Sequence, residues 1–172
     1  MSIALSLMLK STANQMLPAM AACLRKAADH AASNKIDESA FLEARLYPDM
    51  FGMGRQVQIA TDMIARAAAR LAKNDFLELP DTEKTFAELV LRIEKVRGFI
   101  NGLDDQVLDA AASMDVEFPI GGGNTKTLQG GQYLLSFAFP NFYFHAATGY
   151  DLLRHNGVAL GKRDFMMPPQ TA

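Results

Sequence analysis

Hydrophobic residues recur at alternating spacings of three and four between residues 82 and 112. The positions are Phe86, Leu89, Ile93, Val96, Ile100, Leu103 and Val107. This period places them on one stripe of a helix that packs lengthwise against neighbours, so we predict a long helix over 82–112. Asp81 or Thr82 would cap its start, and Gly98 and Gly102 would allow another helix to approach closely.

Three further segments show helical periodicity. The first helix is predicted over 3–32, with a kink at Pro18. One of its faces carries Leu5, Leu9, Thr12, Met16, Met20 and Cys23. The second is predicted over 50–73, and a short helix over 37–42 lies in the connection between the two. The buried stripe of the second helix is Val57, Ala60, Ile64, Ala67 and Leu71.

The last helix is predicted over 131–156. Pro140 lies inside it and implies a kink or a break, because proline has no N–H to donate. Gly157 follows at the position where a helix commonly ends in a left-handed residue. The remaining tail over 158–172, which contains the Pro168-Pro169 pair, is predicted to be irregular.

A different pattern precedes the last helix. Apolar and polar residues alternate over 116–120, a glycine-rich turn follows over 121–124, and 125–128 can return as a second strand. This order predicts a small β-hairpin. The fold class is therefore all-α: a single domain over 1–172 built as an up-down four-helix bundle, with or without one crossover, and with the hairpin inserted before the last helix.

Composition narrows the classes of partner. The 172 residues carry a net charge of -2, and the basic residues are scattered, so no field attracts nucleic acid or anionic lipid. No apolar run is long enough to span a membrane. Cys23 is the single cysteine, which excludes an intrachain disulfide and favours a reducing compartment. We expect a cytoplasmic protein that binds neither nucleic acid nor membrane.

Candidate chemistry concentrates on the second and last helices. Asn141 and His145 are one helical turn apart and share a face. Asp49 and Gln56 are two turns apart on the second helix and also share a face. If the two helices are neighbours, these four side chains meet. Such a cluster is either a hydrogen-bonded core network or a degraded metal site.

Other candidate residues lie outside that cluster. Tyr150 and Arg154 stand further along the last helix, and Arg154 is placed to pair with a carboxylate or with the helix dipole. Cys23 has no histidine or other base nearby in sequence, so it is interpreted as a buried structural residue rather than a nucleophile. The glycine-rich turn lacks the Lys-Ser/Thr pair of a phosphate-binding loop.

Several of these strings resemble a known family. The stretch from Pro140 to Gly157, PNFYFHAATGYDLLRHNG, resembles the last helix of the DinB/YfiT-like superfamily. Together with 46–56 and 161–165, it is closest to a bacterial branch catalogued as a domain of unknown function. The resemblance covers nearly the whole chain. It implies a four-helix bundle, often dimeric, with a divalent metal bound by one histidine of the second helix and two of the last.

The chain departs from that pattern at two of the three ligand positions. The second-helix histidine falls at or near Gln56, and the first histidine of the last-helix pair falls on Asn141. Only His145 keeps a ligand type. Neutral amides are weak ligands for Zn²⁺ or Ni²⁺, so no tightly bound metal or other cofactor is expected.

Three hypotheses remain. The first is a small-molecule-binding bundle or remnant enzyme, with Asp49, Gln56, Asn141 and His145 lining the pocket and Tyr143 or Tyr150 at its rim. The second is a non-enzymatic interaction protein that acts through a homodimer surface. The third is a divalent-metal-dependent hydrolase or thiol transferase, completed by Asp49 or another carboxylate. An open cavity that reaches His145 favours the first, and a fully enclosed His145 with both ring nitrogens bonded favours the second.

Overall fold

Helices of very different length make up most of the chain in a computed structural model of the protein, which describes residues 3–167. In chain order they are α1 (Leu5–Asn34), α2 (Glu38–Leu42), α3 (Met53–Ala72), α4 (Phe86–Asn101), α5 (Asp105–Ala110), α6 (Gly130–Tyr133), α7 (Phe139–His155) and α8 (Lys162–Met166). The long helices pack as neighbours: α3 on α7 and α4, and α1 on α4 and α7. The mostly helical prediction is confirmed.

The predicted hairpin is also confirmed. Strands β1 (Asp115–Gly121) and β2 (Asn124–Gln129) pair antiparallel, with Val116 opposite Leu128 and Phe118 opposite Lys126. Both central turn residues, Gly122 and Gly123, have positive φ, as a two-residue hairpin turn requires. The ring of Phe118 packs 4.7 Å from that of Tyr133, so the hairpin is fixed to the start of the last helical segment.

The apolar stripes predicted for α1, α3 and α4 form the core. All five stripe residues of α3 are buried, and so are the stripe residues of α4 from Phe86 to Ile100. On α1, Thr12 is only half-buried, while Leu5, Leu9, Met16, Met20 and Cys23 are buried. Pro18 lies within α1, and the helix continues through it from Leu5 to Asn34.

The predicted helix over 82–112 is wrong at both ends. The helix starts at Phe86 because Thr85 and Glu88 form a reciprocal capping box, so neither Asp81 nor Thr82 is the cap. It stops at Asn101, and Asp104 then caps the separate helix α5. Val107 therefore leaves the stripe and is 44% exposed.

The two glycines of α4 have a different role from the one predicted. A Cβ at Gly98 would meet nothing within 4 Å, and one at Gly102 would meet only carbonyls of its own helix end. Neither glycine therefore admits a neighbouring helix. Gly102 instead stands at the C-cap, where the helix stops.

The last helical segment runs from Gly130 to His155 but is not uniform. A π-helical turn over Leu134–Ala138 separates α6 from α7, and Pro140 lies in the first turn of α7. The irregularity predicted at Pro140 is therefore present as a π turn. Gly157, with φ of 92°, ends the segment as expected.

Two smaller boundaries need correction. Helix α3 begins at Met53 rather than 50, so Asp49 lies in the preceding loop. The tail is not wholly irregular, because Lys162–Met166 forms α8, which packs on α1. The Pro168-Pro169 pair lies outside the described residues. Within 3–167, no helix combines the length and apolarity needed to cross a membrane.

A buried arginine joins α3, α4 and the loop between them. The side chain of Arg92 is only 1% exposed and pairs with Asp62 at 2.5 Å, Glu83 at 2.9 Å and Asp81 at 3.0 Å. Its remaining donors reach the Thr61 hydroxyl and the carbonyl oxygens of Gln58 and Pro80. The guanidinium thus satisfies its hydrogen-bonding capacity entirely within the protein.

We predict that Arg92→Ala lowers the free energy of unfolding by about 3–5 kcal/mol, because it removes the buried cation that pairs with the largely buried carboxylates of Asp62 and Glu83. Urea denaturation followed by circular dichroism measures the change. Arg25→Ala is the matched control, since Arg25 is exposed and pairs with Glu94 only at 3.6 Å. We expect the control to cost less than about 1 kcal/mol. Equal losses in the two variants would contradict a structural role for the buried cluster.

Candidate functional site

The packing of α3 against α7 brings Gln56 and His145 together. Gln56 lies in the first turn of α3 and is only 1% exposed. Its side-chain Nε2 donates to the carbonyl oxygen of Phe51 at 3.1 Å. Because only the amide nitrogen can donate to a carbonyl, this bond turns Gln56 Oε1 towards α7.

The side-chain oxygen Oε1 of Gln56 lies 2.6 Å from His145 Nδ1. Gln56 Oε1 can only accept, so Nδ1 carries the ring proton and donates it. The neutral ring then has its lone pair on Nε2. Gln56 therefore fixes both the orientation and the tautomer of His145.

The other ring nitrogen is open. Among residues 3–167, Nε2 of the half-buried His145 has no hydrogen-bond partner. No buried side-chain nitrogen or oxygen in that range lacks a partner, so this atom is accessible at the surface. Phe144 packs edge-on against the imidazole at 5.1 Å, and Phe144 and Phe51 are 56% and 55% exposed. Phe144 thus places an exposed aromatic ring beside the imidazole.

Burial and a nearby positive charge keep the imidazole neutral. Desolvation lowers the pKa of His145 below its ordinary value, and the positive charge of Arg55 lowers it further. Arg55 itself pairs with Asp81 and donates to Gln58 Oε1 at 3.1 Å. The site therefore offers a neutral acceptor at neutral pH rather than a cation.

Asn141 lies on the same side of α7 but bonds elsewhere. Its Nδ2 donates to the carbonyl oxygen of Phe137 at 2.9 Å, within the π turn. Its Oδ1 has no partner among residues 3–167. Asn141 thus adds a second open acceptor one turn before His145, and it makes no hydrogen bond to Gln56 or His145 in this range.

The remaining candidates lie apart. Asp49 is exposed in the loop before α3 and has no hydrogen bond or ion pair within 3–167. Its predicted helical alignment with Gln56 fails because α3 begins only at Met53.

Arg154 donates to the Tyr150 hydroxyl at 2.9 Å, and the Tyr150 ring packs on Phe165. These two residues belong to a separate cluster near the C-terminal end of α7.

That cluster closes a small apolar void of about 20 Å³, room for a single water, and Cys23 lines it. Burial raises the pKa of the Cys23 thiol to about 11, with Asp164 adding to the effect and Lys26 opposing it. Such a thiol is a poor nucleophile at neutral pH. The interpretation of Cys23 as a buried structural residue is confirmed.

No group of three or more His, Cys, Asp or Glu side chains in the described part of the chain is arranged to hold a metal ion. His145 bonds the amide of Gln56 and packs against the ring of Phe144. The donor set at this site therefore does not fit the three-histidine pattern implied by the family resemblance.

Comparison with known proteins agrees with this architecture. The profile of a family described as a domain of unknown function (DUF1993) matches residues 8–166. The chain belongs to the DUF1993 family. A solved crystal structure of a DinB family member protein from Shewanella denitrificans is 35% identical, with a TM-score of 0.87 over 98% of this chain and 95% of that chain. No curated protein matches.

The predicted relation to DinB-like proteins is thus confirmed for this DUF1993 chain. Two arginines near the site were not predicted from the sequence. Arg55 contributes positive charge near His145, and Arg92 fixes the position of α3 through Asp62. A signal for Arg92 was present: it lies three residues after Leu89 and four before Val96, on the apolar stripe of α4. A charge in that register is buried and must be paired.

We predict that His145 in this DUF1993 protein titrates below about 6.5 and is the Nδ1–H tautomer when neutral. Nitrogen-15 NMR of the imidazole measures both. Because the folded pKa is lower than the unfolded one, the group contributes stability above pH 6.5, and this contribution declines as pH falls through that value. Gln56→Glu should raise the pKa by placing a carboxylate against Nδ1. An Nε2–H tautomer in the wild type would contradict the assignment.

Proposed function

We propose that this DUF1993 protein binds a small molecule at His145 Nε2, in an up-and-down four-helix bundle whose ancestral metal site has degenerated. The observation that supports the proposal is the fixed but open imidazole: Nδ1 bonds Gln56 at 2.6 Å, and Nε2 has no partner within 3–167. A purely structural histidine would satisfy both nitrogens in the core. Here one nitrogen is bonded and the other is accessible at the surface, on a ring that packs against Phe144.

The degenerate-site proposal rests on the chemistry of the side chains. Gln56 uses both ends of its amide for protein contacts, so a metal would have to share its oxygen with His145 Nδ1. Asn141 retains only an amide oxygen, and the charge of Arg55 opposes a dication. One imidazole and one amide oxygen hold a transition metal weakly.

A fragment screen by ligand-observed NMR tests small-molecule binding. We expect fragments that bind the wild type and fail to bind His145→Ala, while the exposed His155→Ala retains them. His145→Ala removes one side-chain hydrogen bond and should cost about 1 kcal/mol of unfolding free energy. A loss near 3 kcal/mol without any His145-dependent fragment would favour the structural alternative.

Elemental analysis of the same samples is the control for metal. We expect well under one equivalent of Zn, Ni, Fe or Mn in protein purified without added metal. A stoichiometric metal that is lost in His145→Ala would reject the degenerate-site proposal and favour a metal-dependent hydrolase or thiol transferase.

We also propose that the chain forms a homodimer through the face shared by α1 and α7. Leu7 on α1 and Leu135 beside α7 are exposed, and Tyr143 lies between the helices with its hydroxyl 3.5 Å from Thr12 Oγ1. Exposed apolar side chains that form one contiguous patch mark an interaction surface more often than isolated ones do, and the proposal requires Leu7, Leu135 and Tyr143 to form such a patch. A symmetric dimer would bury the same patch on both copies.

Light scattering at micromolar concentration should therefore give the mass of a dimer. Leu7→Glu combined with Leu135→Glu should shift the protein to a monomer, because the change places charges in an apolar interface. Leu91→Glu on α4 is the matched control, since Leu91 is also exposed but lies on another face. A monomeric wild type, or equal effects of the control, would refute the proposed interface.

A further inference from the structure

The open atoms at the site share one chemical character. His145 Nε2 carries a lone pair because Nδ1 is held by Gln56 Oε1, and Asn141 Oδ1 is exposed because its Nδ2 is held by Phe137 O. Neither side chain can rotate to present a donor without breaking a bond to the protein. Two hydrogen-bond acceptors therefore stand one helical turn apart on α7, with Cβ atoms about 5–6 Å apart.

The surrounding charge limits which donors fit. Arg55 contributes a positive potential at His145, which disfavours an ammonium group or a dication. Arg55 bonds Asp81 and Gln58 through Nη1 alone, so it retains other N–H donors. An anion is disfavoured instead at the two open atoms themselves, because both are acceptors with no proton to donate. A neutral donor, such as a hydroxyl or an amide N–H, meets no such opposition.

The rim of the site is apolar. Phe144 stands edge-on to the imidazole, and Phe51 is linked to the site through the bond between its carbonyl oxygen and Gln56. Both phenylalanines are more than half exposed, and the Phe144 ring offers apolar surface beside the imidazole. An aromatic body packs well against such rings.

We propose that the site takes a neutral molecule with a hydroxyl or N–H donor on an aromatic body, bonded by His145 Nε2 and, where a second donor is present, by Asn141 Oδ1. This inference rests on the proposed function, since it specifies the ligand class of the same site. It differs from a metal-binding role, because both side chains act here as hydrogen-bond acceptors.

Four probes that share a benzene ring test the class: phenol, anisole, benzoate and benzylammonium. Their affinities are measured by NMR titration at pH 7.5, with the imidazole nitrogens of His145 as the reporter. Phenol should bind about 3- to 10-fold more tightly than anisole, the value of one neutral hydrogen bond. It should also shift the Nε2 resonance, and His145→Ala should remove its advantage over anisole.

Resorcinol, whose two hydroxyls point apart, tests the second acceptor. It should bind the wild type about 2- to 10-fold more tightly than phenol, and Asn141→Leu should remove that difference. Because this change also frees the Phe137 carbonyl, thermal melting and the Nδ1 resonance of His145 are measured alongside. They establish that the variant keeps the fold and the bond to Gln56.

The outcomes separate the inference from the function on which it rests. Equal binding of phenol and anisole, or tighter His145-dependent binding of benzoate or benzylammonium, would overturn the ligand class while leaving a small-molecule site at His145. An unchanged preference for resorcinol in Asn141→Leu would remove Asn141 from the site. If no probe binds in a His145-dependent manner and the fragment screen is also empty, the proposed function itself fails.

Discussion

The buried guanidinium of Arg92 constrains the rest of the structure. It draws Asp62 of α3 and Asp81 and Glu83 of the following loop to one point on α4. A buried ion cluster adds little net stability compared with an apolar core, but it tolerates few alternative arrangements because every charge must find its partner. Gln58 also bonds Glu83, so the face of α3 that carries Gln58 and Asp62 must point towards α4.

This constraint reaches the candidate site through the geometry of one helix. Gln56 precedes Gln58 by two residues, which is about 200° around an α-helix. Fixing the Gln58 face on α4 therefore turns Gln56 towards α7, where it meets His145. A second consequence is electrostatic, because Arg55 joins the same cluster through Asp81 and lies close enough for its charge to lower the pKa of His145. Position and charge at the site thus both depend on the ion cluster.

Periodicity predicted the elements of this fold but not their ends or their distant partners. The apolar stripe of α3 could be predicted because its buried positions recur with the period of an α-helix. The start of α4 was not, because several possible caps precede it and Asp81, the first of them, is engaged by Arg55 and Arg92 instead. Gln56 and His145 were recognised as facing candidates, but their contact joins residues 89 positions apart. The predicted alignment of Asp49 with Gln56 was wrong because it assumed a second helix that begins three residues too early.

The π turn before Pro140 explains why Asn141 does not complete a ligand pair with His145. Proline has no N–H, so a regular helix would leave a carbonyl of the preceding turn without its donor. Over Leu134–Ala138 the helix has a π turn, in which the N–H of Phe139 donates to the carbonyl oxygen of Leu134, five residues earlier. The side-chain Nδ2 of Asn141 donates to the carbonyl oxygen of Phe137. This bond occupies the side-chain nitrogen of Asn141 and leaves only its Oδ1 open. A histidine placed there would have to give up that backbone contact to bind a metal, or keep the contact through one ring nitrogen and coordinate with the other. The side chain at 141 is thus tied to the turn that precedes it, whereas His145, one turn further on and oriented by Gln56, presents an imidazole nitrogen outwards.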